Sequence, residues 1–350
     1  MMKAGHVRCG VAALAVAAGG IAAAYEIGGH HFTLAAIYSA GKTSWTPNHR
    51  EKVLELFCAE LPDLAMELDA ITQRVRVLQA RGEWRWGLFG QCTGPKSHHM
   101  FATQYYLHGL TGDGPSATRS SADERIRDAA KKIVDDIDGA YKKSTDETER
   151  ATLSCARGFA AHLLGDSFAH SQLHSPGHRY PPGLGHWADN HDPDYMLSRD
   201  ITGNTNGHWE HWIKRATEIL AAGSQPPAAF GESAKAVLAT QQSTPSRDFG
   251  EQALMDKLVP MVPNSWRNYE PPLEQWRPPD LRNIVLTERC DDQLTKGLKN
   301  YAGVQPSCAA VWDYYLKAAI AAFAVNHMDP VADSGYGSCG ATDDTLKDGG

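Results

Sequence analysis

At 350 residues, with 42% hydrophobic and 21% charged residues, the chain is long enough to bury a sizeable core, and its composition is neither disordered nor fibrous. A formal net charge of −7 argues against a general nucleic-acid-coating role, because such proteins hold phosphate backbones with an excess of lysine and arginine. A local cation site escapes that exclusion, since a bound metal dominates the field around it.

Residues 1–24 read as a signal peptide. Lys3 and Arg8 form a basic start, Cys9 to Ala24 is small and apolar, and Ala22-Ala23-Ala24 fits a cleavage site before Tyr25. The run is shorter and weaker than a bilayer span requires, and no other segment is read as a span. The expectation is a secreted or periplasmic protein whose mature form has no transmembrane segment. Removal of the leader takes away Lys3 and Arg8 and shifts the net charge from −7 to −9. Six cysteines remain: Cys58, Cys92, Cys155, Cys290, Cys308 and Cys339. In an exported chain they allow up to three disulfides of undetermined connectivity. None has zinc-ribbon spacing.

Helical periodicity dominates the chain beyond the leader. His49 to Gln79 carries apolar residues at helical spacing, broken near Pro62. Ser121 to Lys143 reads as an amphipathic helix and Asp146 to His174 as a longer one. Gly207 to Ala222, Ala228 to Gln241 and the apolar Val311 to His327 complete the set. Ser175 to Gly185 and Pro260 to Pro279 are Pro- and Gly-rich loops. Period-two alternation is nearly absent, so the fold class is all-α, a multi-helix bundle. One helical domain over 25–331 and a flexible tail over 332–350 are expected.

Half of the 16 histidines crowd into the 50 residues from His162 to His211. Within AHLLGDSFAHSQLH, His162, Asp166 and His170 are spaced by four, which stacks them on one helix face. Two imidazoles and a carboxylate are suitable zinc ligands. His174 extends the row by a turn. GHWADNHDPDYM adds His186, Asp189, His191, Asp192 and Asp194, of which His186 and Asp194 are the favoured ligands. The segment from Tyr25 offers a free α-amine after cleavage, with His30 or His31 close behind. Asp63 in Leu-Pro-Asp, and His98 or His99 in SHHMF, are weaker candidates that gain weight only as members of the set.

Taken in order, Tyr25, His30 or His31, Asp63, His98 or His99, His162 with Asp166, His170, and His186 with Asp194 resemble the ligand series of the zinc-dependent phospholipase C and single-strand-specific zinc nuclease group. The resemblance covers residues 25 to about 200. It departs from the group's pattern in three places. Tyr25 stands where a Trp is usual, His170 follows Asp166 by four rather than six, and His186 precedes Asp194 by eight rather than four. The resemblance implies the helical fold of that group, two or three Zn²⁺ ions, and hydrolysis of phosphate esters by a metal-activated water. It also implies a metal-ligand or base role for Asp63 near that water. A phospholipid head group at a membrane surface is the favoured substrate, and nucleic acid is the alternative. Trp84, Trp86 and Phe89 form an apolar patch suited to membrane or bases, or to core packing.

Two other readings compete. Gly165-Asp166-Ser167 matches the nucleophile block of a GDS-type esterase, but it lies inside a helix in mid-chain. A closed zinc site could instead stabilise a non-catalytic binding module.

Overall fold

The computed structural model describes residues 29–40, 48–66, 103–112, 119–171, 179–180, 208–221, 286–298, 301 and 303–328, with isolated positions 228, 232, 235, 236 and 257. Seven helices span the continuous stretches: α1 Gly29–Ala40, α2 His49–Met66, α3 Arg119–Tyr141, α4 Glu147–Ala169, α5 His208–Leu220, α6 Leu286–Gly297 and α7 Cys308–Val325. A single π-helical turn, Thr103–Leu107, precedes α3. No strand occurs among the described residues, and Ser171 and Arg179 form one isolated antiparallel bridge. The all-α expectation holds.

The ends of these helices follow from local chemistry. Asn48 and Glu51 form a reciprocal cap at α2, with Asn48 Oδ1 accepting from Glu51 N at 3.0 Å and Glu51 Oε2 from Asn48 N at 2.7 Å. Asp146 caps α4 by accepting from Glu149 N at 2.7 Å, and Ser307 caps α7 by accepting from Ala310 N at 3.2 Å. The break expected near Pro62 does not occur: α2 runs through it to Met66. Proline removes only one intrahelical bond, and continuous burial from Leu54 to Pro62 holds the helix together. α4 stops at Ala169 rather than His174, because His170 caps it and Ser171 pairs with Arg179. Sequence periodicity does not announce α1 or α6. α1 is buried on most sides from Thr33 to Tyr38, so no amphipathic stripe marks it. α6 is short and charged, with Cys290, Leu294 and Leu298 turned inward.

α4 is the central helix. It is buried on all sides from Leu153 onward and packs against α1, α2, α3, α5, α7 and the π-helical turn. The approach of α2 is close enough to require Gly158, where an added Cβ would lie 2.4 Å from Glu55 O and 2.9 Å from Ala59 N. The Cys58–Cys155 disulfide joins the same two helices, across a sequence separation of 97. Cys290–Cys308 joins α6 to α7. Cys92 and Cys339 lie outside the described residues.

α7 is long and apolar enough by length and composition to cross a membrane. Here its Val311, Trp312, Tyr315, Leu316, Ala319, Ala322 and Phe323 face the core, as the sequence suggests for this helix.

A charged knot fixes the middle of α4. The fully buried Arg157 donates to Asp138 Oδ1 from Nε at 2.7 Å, to the Tyr38 hydroxyl at 2.6 Å, to Leu220 O at 3.2 Å and to Glu55. It thereby ties α1, α2, α3 and the end of α5 to α4. Burial opposes its charge, but Glu55, Tyr38 and Asp138 outweigh that and hold the guanidinium protonated, well above the ordinary arginine range. Removing one partner of such a pair strands the other charge in the core. Arg157→Met should therefore lower the unfolding free energy by about 3–5 kcal/mol, read as a shift in the urea midpoint. Adding Glu55→Gln should recover part of the loss.

Candidate metal centre

Asp166 is the hub. It lies near the C-terminal end of α4, one turn beyond His162, so both side chains leave the same face. α1 lays His30 across Gly165. A Cβ at Gly165 would lie 2.4 Å from His30 Cε1 and 2.6 Å from Nδ1, so only glycine admits the ring. The π-helical turn delivers a further histidine, His108, from the opposite side. Its successor Gly109 has φ +59°, a conformation that favours glycine.

The carboxylate divides these neighbours. Oδ1 faces His30 Nε2 at 3.2 Å. Oδ2 faces His162 Nε2 at 3.0 Å, His108 Nδ1 at 3.0 Å and His170 Nδ1 at 3.8 Å. His162 Nε2 and His108 Nδ1 are 3.3 Å apart. The His30 ring rests on His162, centroid to centroid 4.3 Å, and meets Trp212 edge-on at 6.4 Å. None of the five side chains is more than 1% exposed.

Hydrogen bonding settles how two of these rings are oriented. A carbonyl can only accept, so His162 Nδ1 donates to Ala59 O at 2.9 Å, and Nε2 of the neutral ring carries the lone pair. His170 Nδ1 likewise donates to His108 O, which leaves the lone pair of the neutral ring on Nε2. Burial, more than any other influence, pulls the pKa of His162 down to about 4. The ring is neutral at pH 7, and its bare Nε2 points at a carboxylate oxygen. For Asp166 burial pulls upward, but the surrounding imidazoles of His162, His170 and His108 outweigh it and hold the carboxyl well below the usual range. Lone pairs thus converge on one place with little positive charge to separate them.

A cation fits that arrangement. Zinc bound at 2.0–2.1 Å in a tetrahedron sets its ligands about 3.3 Å apart. His108 Nδ1, His162 Nε2 and Asp166 Oδ2 are mutually separated by 3.0 to 3.3 Å. A second triad, sharing His162 and Asp166 and adding His30, has its ligand atoms all within 4.8 Å of one another. Asp166 Oδ1 and His108 Nε2 are buried without a hydrogen-bond partner among the described residues, although Oδ1 lies beside His30. An ion or an ordered water satisfies such a carboxylate oxygen, whereas His108 Nε2, protonated when Nδ1 carries the lone pair, calls for an acceptor.

Of the residues expected from the sequence, the structure brings His30, His162 and Asp166 together, with His170 adjoining. His31 lies in α1 and Asp63 in the last turn of α2. Tyr25, His98, His99, His174, His186, Asp189, His191, Asp192 and Asp194 lie outside the described residues. Sequence reasoning misses His108. The one available signal is a titratable side chain inside YYLHGL, an otherwise apolar run followed by glycine. The serine-esterase reading fails on geometry. Gly165 is small to admit His30, and the buried Ser167 hydroxyl donates to Leu164 O at 2.6 Å, an ordinary helical back-bond. Comparison of the chain with protein-family models, curated proteins and solved structures found no match.

Gly165→Ala should displace His30 while favouring helix at that position. Zinc affinity in a competition titration should fall at least about tenfold, with helix content by circular dichroism retained. The lowered His162 pKa also sets a pH dependence. The folded ring titrates near 4, and the unfolded one near about 6.5. Between those values the unfolded chain binds the extra proton. The contribution is full above about pH 6.5 and is lost as pH falls towards 4, on the order of 3 kcal/mol in all. In chelator-treated protein the urea midpoint should drop across this window, and His162→Gln should flatten the slope.

Proposed function

We propose that the Asp166 cluster is a metal centre and that the protein is a zinc-dependent phosphoric ester hydrolase. The observation that carries this reading is the convergence of His108, His162 and Asp166 at the ligand separations of a tetrahedral zinc site, with His30 on the other carboxylate oxygen. Asp166 Oδ1 faces one imidazole, His30, while Oδ2 faces His162 and His108. The order of ligand types along the chain, and its resemblance to the phospholipase C and zinc nuclease group, favours two or three ions.

In this reading His30, His108, His162 and Asp166 hold the metal. Tyr25, Asp63, His98 or His99, His170, His186 and Asp194 are the further ligands that the resemblance implies. A bound zinc supplies Lewis acidity and brings a water's pKa towards about 7. The protein's own contribution is orientation. Ala59 O fixes the His162 ring, His108 O fixes His170, and the buried Trp212 packs edge-on against His30. Asp63 remains the proposed base or ligand near the attacking water. The proposed substrate is a phosphodiester, with phospholipid head groups ahead of single-stranded nucleic acid, as the net charge of −7 suits the former better. Export and leader cleavage belong to the same reading, and the Cys58–Cys155 and Cys290–Cys308 disulfides suit an oxidising compartment.

A second reading has one observation in its favour. All five side chains of the cluster are buried, and structural zinc sites are closed where catalytic ones keep an open position. The protein would then be a zinc-stabilised binding module.

Metal analysis of the purified chain, with hydrolysis of a phosphocholine ester and of single-stranded DNA before and after chelation, separates the two. Two or three zinc ions, with activity that is lost to chelator, restored by zinc and abolished by Asp166→Asn, is the expected result. One tightly held zinc with neither substrate cleaved supports the binding module. Absence of bound zinc overturns both.

A further inference from the structure

We infer that Arg179 is a positioning residue for the Asp166 cluster, locking the His108 segment to the end of α4. The inference rests on the metal-centre reading. Arg179 is 1% exposed, one of the largest fully buried side chains among the described residues. Its fork makes a specific set of bonds. Nη2 donates to Gly109 O at 2.7 Å, and Nε reaches the same oxygen at 3.3 Å. Nη1 donates to Ser167 O at 2.9 Å and to Asp123 Oδ1 at 2.6 Å.

The acceptors are the immediate neighbours of two cluster members. Gly109 follows His108, and Ser167 follows Asp166. One rigid, planar group therefore sets the distance between the backbones that carry those two side chains. Asp123 on α3 fixes the guanidinium in turn, helped by Ser171, whose hydroxyl donates to Asp123 Oδ2 at 3.1 Å. Gly109 is part of the same device. At φ +59° its carbonyl turns towards the guanidinium, and an added Cβ would sit 3.3 Å from Arg179 Nη2. A second tether comes from α7, where the Tyr315 hydroxyl donates to Tyr106 O at 2.7 Å. The carbonyls of residues 106, 108 and 109 are thus each held by a side chain from outside the segment. Lysine cannot replace this arginine, because a point-like ammonium lacks the fixed fork that spans two carbonyls and a carboxylate. A misplacement of a few tenths of an ångström at His108 would open the 3.0 and 3.3 Å separations that suit a metal.

The test uses the full chain with Co²⁺ as a spectroscopic probe and Zn²⁺ in competition with a chromophoric chelator. The variants are Arg179→Lys and Asp123→Asn; the second keeps an acceptor but removes the charge that steadies the fork. The expected result is a zinc affinity about 10- to 100-fold weaker in Arg179→Lys, with altered cobalt d–d bands, in protein whose circular dichroism is that of the wild type. Asp123→Asn should shift both in the same direction by less. A folded Arg179→Lys with wild-type affinity and wild-type bands overturns the inference, even if its melting temperature falls, because a purely structural arginine would affect stability alone. Should Arg179→Lys not fold, Asp123→Asn decides by the same two readouts. If the wild type binds neither cobalt nor zinc, the metal-centre reading has failed, and the role of Arg179 fails with it. If the wild type binds and the variants match it, only the positioning role is lost.

Discussion

A fully buried, ionised carboxylate is expensive unless positive charge or several donors surround it. Asp166 sits in that situation, and most of the described structure is arranged about it. Helix α1 reaches it through His30, α4 through its own His162 and His170, and the π-helical turn through His108. The orientations of the His162 and His170 rings are set by backbone carbonyls rather than by the carboxylate, and for His162 the result is a bare nitrogen facing an anionic oxygen. A cation resolves that opposition more completely than any proton the rings can share.

The central helix is held at two levels by buried arginines of similar design. Arg157 gathers α1, α2, α3 and the end of α5 around the middle of α4, and Arg179 gathers the His108 segment and α3 around its C-terminal end. Between them, Gly158 and Gly165 open the helix surface to a neighbouring backbone and to the His30 ring respectively. Rigid flanks of this kind are what a ligand cluster needs, since imidazoles left to choose their own rotamers seldom converge to within a few tenths of an ångström. The Cys58–Cys155 disulfide reinforces the same α2–α4 contact that supplies Ala59 O to His162.

The chemistry of the donor set narrows the function more than the fold does. Helical bundles host many activities. A nitrogen-rich cluster with one carboxylate suits zinc better than calcium or magnesium, which prefer oxygen. Hydrolysis of phosphate esters is the proposed use, carried by the resemblance and not by the geometry of the cluster. The depth of burial is the one feature that pulls towards a closed, structural site.

Sequence alone determined the helical class, the approximate extents of α3 and α5, and the pairing of His162 with Asp166, because each depends on residues within a few turns of one another. It also marked His30 as one of two adjacent candidates. It did not reveal α1, whose near-uniform burial leaves no periodic stripe, or the passage of α2 through Pro62, which packing permits. Tertiary structure alone decided that His30 enters the cluster, since the missing Cβ of Gly165 is what makes room for its ring. It alone added His108, 58 residues from Asp166 in sequence, and the arginine that holds it there. Local spacing records what a helix face presents. Which distant backbone is brought against that face depends on long-range packing, and no local pattern carries that information.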